Sequence, residues 1–343
     1  MSTGKEKSAQ WKAAQPIAIL IVAPFIMVAV VILSVLYGAK DMSFSIVLDA
    51  ILHYDRENVD HAIIVTSRLP RVLAALLVGA FLAISGAVMQ GMTRNYLASP
   101  SIMGVTDGSA FFITIAMILL PGASNLTMIM LSMAGSAFGA LIVFGFGSLL
   151  RGGFSPVHLA IIGTVIGTFL SSLSALMATY FQISQDISFW YNAKLHQADM
   201  DMLLLALPLG LVGFILALLL SGSLTILSLG DETAVSLGQR TTVVKALAMI
   251  SVIAMTGTAV ALVGKIGFVG LIIPHITRFL VGVDYRWLIP CSGVIGAIFL
   301  ACCDLASRFI NYPFETPIVV VTAIIGVPFF LYLIRTKGGG KHA

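Results

Sequence analysis

Charge is what this chain has least of. Only 10% of its 343 residues are Asp, Glu, Lys or Arg, where a soluble domain carries about 25%. Hydrophobic residues make up 59%, and the mean hydropathy is +1.04. A globule with that balance would have no polar skin, so a soluble fold is excluded and lipid must be the solvent. One span of about 20 residues would not lift the whole-chain average this far. Cysteine is scarce too. Cys291, Cys302 and Cys303 lie in one apolar run, which argues against a disulfide framework. No CxxC or Cys/His cluster offers a metal site. The net charge of +4 is small and spread along the chain, and it suggests neither nucleic-acid binding nor a basic tail.

Catalytic patterns are also missing. There is no HExxH, GxSxG or paired Asp/Glu motif. The stretch GTAVALVGKIG at 257–267 superficially evokes a phosphate-binding loop. Its glycines are wrongly spaced, Ile266 stands where Ser or Thr is required, and it lies in an apolar run. The sequence therefore indicates no enzyme and no cofactor held by this chain. If transport here uses ATP and Mg, another polypeptide must bind them.

Apolar runs of membrane-spanning length recur near 17–37, 70–92, 101–120, 126–150, 156–180, 203–222, 243–264, 266–282, 288–307 and 317–335. The stretch 243–282 is split in two because Lys265, Gly267, Gly270 and Pro274 interrupt it. This pattern predicts an all-α membrane protein, a polytopic bundle of about ten transmembrane helices. No linker divides it, so residues 17–335 form one domain between tails at 1–16 and 336–343. The first run is too long for a signal-peptide core and lacks a small-residue cleavage site, so it reads as retained.

Lys and Arg in the short loops set the expected orientation. Lys5, Lys7 and Lys12 hold the N-terminus in the cytoplasm, and ten crossings return Arg335, Lys337 and Lys341 there. The turns at Arg94, Arg151 and Arg286 also fall inside, as does 223–242. The outer side receives 38–67, the PGASN turn and 181–202, and it is rich in Asp. Arg68 and Arg71 of SRLPR are the exception, since they come out external. Pro70 between them suits the first turn of a helix, where its missing N–H costs nothing. Small-xxx-small pairs recur at Gly135/Gly139, Gly163/Gly167 and along Ala75, Gly79, Ala83 and Gly86. Such residues let membrane helices approach closely. Residues 70–180 and 243–335 each carry four spans, as an internal repeat would.

An ion-coupled carrier would place ionisable residues in its spans, and few are there. Gln90, Asp107, Pro274, Asp304 and Glu315 are the candidates for structural or pathway roles. Asp304 and Arg308 stand at i and i+4, the spacing of a structural pair. Asp107 follows MGVT and precedes GS, which suits a helix break with a capping role better than a coupling site. His275 reads as a structural histidine. The internal segment LTILSLGDETAVSLGQR at 224–240 reads as two short helices. Gly230 ends the first and Gly238 the second, with Asp231 and Glu232 at a helix N-terminus. Ala234, Val235 and Leu237 make an apolar side. An ordinary re-entry loop and a docking knob both fit.

Four ordered blocks carry a family resemblance. They are RLPRVLAALLVGAFLAISGAVMQ, LSLGDETAVSLGQ, GKIGFVGLIIPHITRFLVGVDYRWLIP, and CCDLASRFINYPFETP followed by TAIIGVPFFLYLI. Over roughly 17–335 the chain resembles the permease subunits of ATP-binding-cassette importers for iron–siderophore complexes, haem and cobalamin. The resemblance implies ten helices per subunit, with two subunits, identical or related, lining one pathway. It implies two cytoplasmic ATPases below and an extracytoplasmic substrate-binding protein above, in a bacterial cytoplasmic membrane with both termini inside. It makes 227–239 the ATPase-coupling element, with Leu229, Gly230, Asp231, Glu232, Ala234, Leu237 and Gly238. It makes Arg68, Arg71 and Arg308 the docking contacts for acidic residues of the binding protein. Two departures stand out. RNYLA replaces RNPLA, so Tyr96 stands for proline. ETPIVVVTA replaces ELPVGIVTA, so Thr316 and Val319 differ. An iron–siderophore complex is the foremost expected ligand, and an ion-coupled secondary transporter is the alternative class.

Overall fold

The computed structural model describes residues 3–38, 40–150, 155–312 and 314–338. The turn at Arg151 and the tail from 339, with Lys341, lie outside them. The helices are α1 Thr3–Leu36, α2 Phe44–Leu52, α3 Val59–Ile63, α4 Leu69–Thr93, α5 Val105–Leu119, α6 Asn125–Leu149 and α7 Pro156–Tyr180. They continue with α8 Ser184–Ala193, α9 Met200–Ser228, α10 Asp231–Ser236, α11 Thr241–Val263, α12 Val269–Val281, α13 Tyr285–Ser307 and α14 Ile318–Gly338. Among the described residues there is no strand, only a single bridge between Asn311 and Phe314.

Among the described residues, seven helical stretches are long and apolar enough to cross a bilayer, and three shorter apolar helices join them. Together they occupy the ten apolar runs. The shorter α5 has 15 residues and α12 has 13. At 1.5 Å per residue these reach only about 20 Å, against about 30 Å of hydrocarbon. Each therefore begins within the bundle, after an irregular segment (98–104 or 264–268) that must be shielded by protein. The order of helix lengths repeats. α4 to α7 have 25, 15, 25 and 25 residues, and α11 to α14 have 23, 13, 23 and 21.

Close backbone approach holds these helices together. A Cβ on Gly86 would sit 1.8 Å from the Gly270 carbonyl oxygen, so α4 and α12 touch there without side chains. Gly79 meets Gly296, Gly135 meets Gly108, and Gly139 meets Gly104 in the same way. Buried hydroxyls add ties between helices: Ser132 donates to the Gly257 carbonyl at 2.6 Å, and Ser251 to that of Gly213 at 2.6 Å. In lipid, packing and such hydrogen bonds replace a hydrophobic drive.

Three boundaries differ from expectation. The second span does not start at Pro70: helix runs unbroken over Val59–Thr93. Its turn Ile64–Arg68 is a wide π turn, with the Leu69 N–H bonded to the Ile64 carbonyl. The wide turn precedes a proline that has no N–H to give, so the helix passes Pro70 without a break. The expected outer loop 38–67 therefore carries α2, α3 and this π turn. Helix α9 also runs farther than 203–222, to Ser228. The first of the two short helices expected in 224–240 is the end of α9, and only α10 is separate. The short α5 begins at Val105, not at 101, because Gly104 ahead of it adopts φ +72.

Candidate functional site

Four polar constellations stand out among the described residues, two at or beside one end of the bundle, one at the other end and one within it. At the end that carries α10, Gly230 (φ +131) and Gly238 (φ +79) let the chain turn out of α9 and back into α11. Only glycine takes such angles without strain. Ala234 faces inward and is fully buried, while Leu229 and Leu237 are each 65% exposed. Val235 and Glu232 are exposed beside them. Asp231 ties the knob to the bundle through Arg94 at 3.1 Å and Lys245 at 2.8 Å. Gln239 donates to the Ser223 carbonyl at 3.0 Å. The arrangement is an apolar tip on a charged footing.

Next to this end lies a second polar group, around the proline of α12. Pro274 offers no N–H to the Gly270 carbonyl. That oxygen lies against Gly86, and Gln90 Nε2 donates to the neighbouring Leu271 carbonyl at 3.3 Å. Gln90 Oε1 in turn accepts from Arg278 at 3.1 Å. The Arg278 guanidinium lies 4.2 Å from the centre of the Tyr96 ring, a cation–π distance. The tyrosine at this departure from the family pattern thus has a definite partner. His275 meets the Phe329 ring edge-on at 5.9 Å.

At the opposite end, Arg68, Arg71 and Arg308 come together, but their donors point into the protein. Arg68 donates to the carbonyls of Val35 (2.6 Å), Leu36 (3.2 Å) and Lys40. Arg308 donates to the Ser34 carbonyl (2.7 Å), the Tyr37 carbonyl (3.2 Å) and Ser34 Oγ (2.8 Å). Both therefore cap the C-terminal carbonyls of α1, where cations suit the helix dipole. Arg71 Nε reaches Asp304 Oδ1 at 2.8 Å, and its Nη1 holds Glu315 at 2.8 Å. Asp304 Oδ2 also accepts from Arg308 at 2.5 Å, as its i,i+4 spacing allows. Asp304 is fully buried, and all three arginines are buried around it. The sequence suggested cationic sockets waiting for another protein's carboxylates. In the folded chain Arg71 holds its own Asp304 and Glu315, Arg308 shares Asp304, and Arg68 donates to main-chain carbonyls instead. His196, on the turn Lys194–Gln197, lies nearby. Burial, and next the Arg71 charge, hold its pKa below the ordinary imidazole value.

Within the bundle, Asp107 does not cap the start of α5. Its Oδ1 accepts from Lys265 Nζ at 2.7 Å and from Ser171 Oγ at 2.9 Å. A Cβ on Gly167 would meet Asp107 Oδ2 at 2.5 Å, so a glycine of α7 makes room for the carboxylate. Sequence reasoning passed over Lys265, treating it as an interruption between spans. An ammonium in the middle of a 40-residue apolar stretch was the available signal.

The profile of the FecCD transport family matches residues 25–336. The chain belongs to the FecCD transport family. This FecCD chain is 61% identical over 324 residues to the iron-uptake system permease protein FeuB of Bacillus subtilis, covering 94% of this chain and 97% of that one. It is 50% identical over 308 residues to the iron(3+)-hydroxamate import system permease protein FhuB of the same organism, covering 90% and 80%. Among solved structures, it matches a metal-chelate type ABC transporter in an inward-facing conformation. That match has a TM-score of 0.77 and 31% identity, covering 93% of this chain and 99% of the other. The FecCD chain is thus a multi-pass membrane transport permease and not an enzyme.

Proposed function

We propose that this permease is the membrane subunit of an ATP-driven importer that carries a metal chelate across the bacterial cytoplasmic membrane by alternating access. The foremost ligand is an iron–siderophore complex, with haem and cobalamin as alternatives. A second permease, identical or related, completes the pathway. Two cytoplasmic ATPases hydrolyse ATP, and an extracytoplasmic binding protein delivers the ligand. The α10 end and both termini face the cytoplasm. The observation that carries this reading is the knob. Leu229, Val235 and Leu237 are apolar and solvent-exposed, on a turn tied to the bundle through Asp231. An exposed apolar tip on a charged base is what a cleft in a partner protein can grip. Alternating access follows if the ATPase grips it differently in its nucleotide states, since only differential affinity shifts an equilibrium.

Docking of the binding protein belongs to the arginine end. A carboxylate arriving from that protein would exchange with Glu315, the half-exposed partner of Arg71, and leave buried Asp304 in place. Replacing Leu229 and Leu237 together by Asp should abolish co-purification of the ATPase and cut uptake by more than about tenfold, a loss of 1.4 kcal/mol or more. Membrane insertion should be unchanged. Full ATPase association in that variant would sink the knob assignment. The Asp107–Lys265 pair favours one second reading, an ion-coupled carrier. Uptake by the permease in vesicles without any ATPase would establish that reading in place of the first.

A further inference from the structure

The Asp107–Lys265 pair is more than a strut between helices. Asp107 lies in the first turn of α5, Lys265 just past α11 and Ser171 beyond the middle of α7, so all three belong to the spanning part of the bundle. A charge there is costly unless paired, and an ion pair that served packing alone would be sealed. This one is open. The Lys265 side chain keeps 27% of its surface and Asp107 keeps 19%. Lys265 lines a cavity of about 340 Å³. Its other polar lining comes from hydroxyls, among them Ser171, Ser174, Ser184 and Tyr191. The Tyr191 ring centre lies 5.2 Å from Lys265 Nζ, and Ser171 Oγ is 2.8 Å from it. Along α7 the exposed residues Thr164, Thr168, Ser172 and Thr179 form a polar stripe, and Thr179 belongs to the cavity wall.

We propose that Lys265, with the hydroxyls around it, is a contact site for anionic oxygens of the chelate, and that Asp107 is the internal counter-charge that Lys265 leaves when the ligand arrives. The chemistry selects the ligand class. One ammonium, on a wall whose hydroxyls donate within the protein (Ser171 to Asp107, Ser174 to Leu170, Tyr191 to Ala110), suits an oxyanion such as a catecholate by its charge, and it gives a neutral hydroxamate complex much less. Asp107 keeps the ammonium paired, and so affordable in the membrane, while the site is empty. It also sets the affinity by competition. This inference rests on the importer reading and adds a specificity-determining residue to it.

Trp190 adjoins the site, since its backbone carbonyl packs against Gly264, and only two other tryptophans, Trp11 and Trp287, occur in the chain. With those two changed to Phe, the full-length permease in nanodiscs reports the site by Trp190 fluorescence. The probes are ferric tris-catecholate, which is trianionic, and a neutral ferric tris-hydroxamate. The catecholate should quench saturably, beyond its effect on free tryptophan, and the hydroxamate should not. Lys265→Gln should raise the catecholate midpoint on the order of tenfold or more, as loss of a charge-assisted hydrogen bond requires. Lys265→Arg should retain binding, and Asp107→Asn should lower the midpoint by removing the competitor. A purely structural pair would give losses of the same sign for Lys265→Gln and Asp107→Asn, and that result overturns the proposal. The neutral double variant, Asp107→Asn with Lys265→Gln, keeps donor and acceptor together and guards against misfolding. It should fold and still bind weakly, and catecholate binding at the original midpoint in it overturns the proposal. Failure of the importer reading looks different: the permease assembled with its ATPase and binding protein would take up no ferric chelate, whatever Trp190 reports.

Discussion

One carboxylate, Asp304, carries two guanidinium partners in a site with no access to solvent. Burying charges is tolerable only while each has its partner. Asp304→Asn leaves Arg71 and Arg308 facing each other without the charge between them. It should destabilise the fold by about 3–5 kcal/mol, measured by chemical denaturation in detergent. Glu315→Gln should cost far less, because Glu315 is half-exposed and solvent screens its pair. His196 adds a pH dependence. Its folded pKa lies below the ordinary 6.5, so the unfolded chain binds the proton more readily. Its contribution is therefore present above that value and is lost as pH falls through it. Thermal unfolding of the native chain should shift downward between neutral and mildly acidic pH, and His196→Gln should shift less.

At the scale of elements, the helices are positioned by where side chains are absent. Gly86 and Gly270 let α4 and α12 meet backbone to backbone, and Pro274 frees the carbonyl that makes the contact. Gln90 covers the next carbonyl and passes its own oxygen to Arg278. A Val at 86 cannot fit at a 1.8 Å approach, so α12 would have to move and carry Arg278 with it. Gly86→Val should therefore abolish uptake and lower thermal stability. Gly122→Ala, at a turn with open space around it, should leave uptake intact and lower stability only by the strain of its positive φ. Equal uptake by the two variants would refute the close-packing account. The glycine and small-residue stripes were legible in the sequence because packing in lipid selects small residues at helical spacing. Which helix each stripe meets was not legible, since Gly79 finds Gly296 and Gly86 finds Gly270 far along the chain.

At the scale of the molecule, the two ends differ in kind. One presents an exposed apolar knob, and the other closes over a charged clamp that binds α1, α4, α13 and the segment before α14. The proposed orientation puts the knob in the cytoplasm. In a background without native cysteines, Leu237→Cys should react with a membrane-impermeant maleimide only from the cytoplasmic side, and Lys40→Cys only from outside. Reversed labelling would turn the topology over.

Hydropathy is a sum over neighbours in sequence. For that reason the chain by itself determined the solvent, the helical class and the ten apolar runs, and four local blocks determined the family. The glycines at 230 and 238 marked the knob for the same reason, since a turn is local chemistry. Charge pairing is not local. Asp107 and Lys265 are 158 residues apart, and Arg71 stands 233 from Asp304 and 244 from Glu315. Nothing in either neighbourhood names the other. Only the tertiary structure decided that Arg71 and Arg308 close inward on the chain's own carboxylates, and that one lysine in an apolar run opens onto a polar cavity. In a bilayer an unpaired charge costs several kcal/mol, so the fold had to bring these partners together.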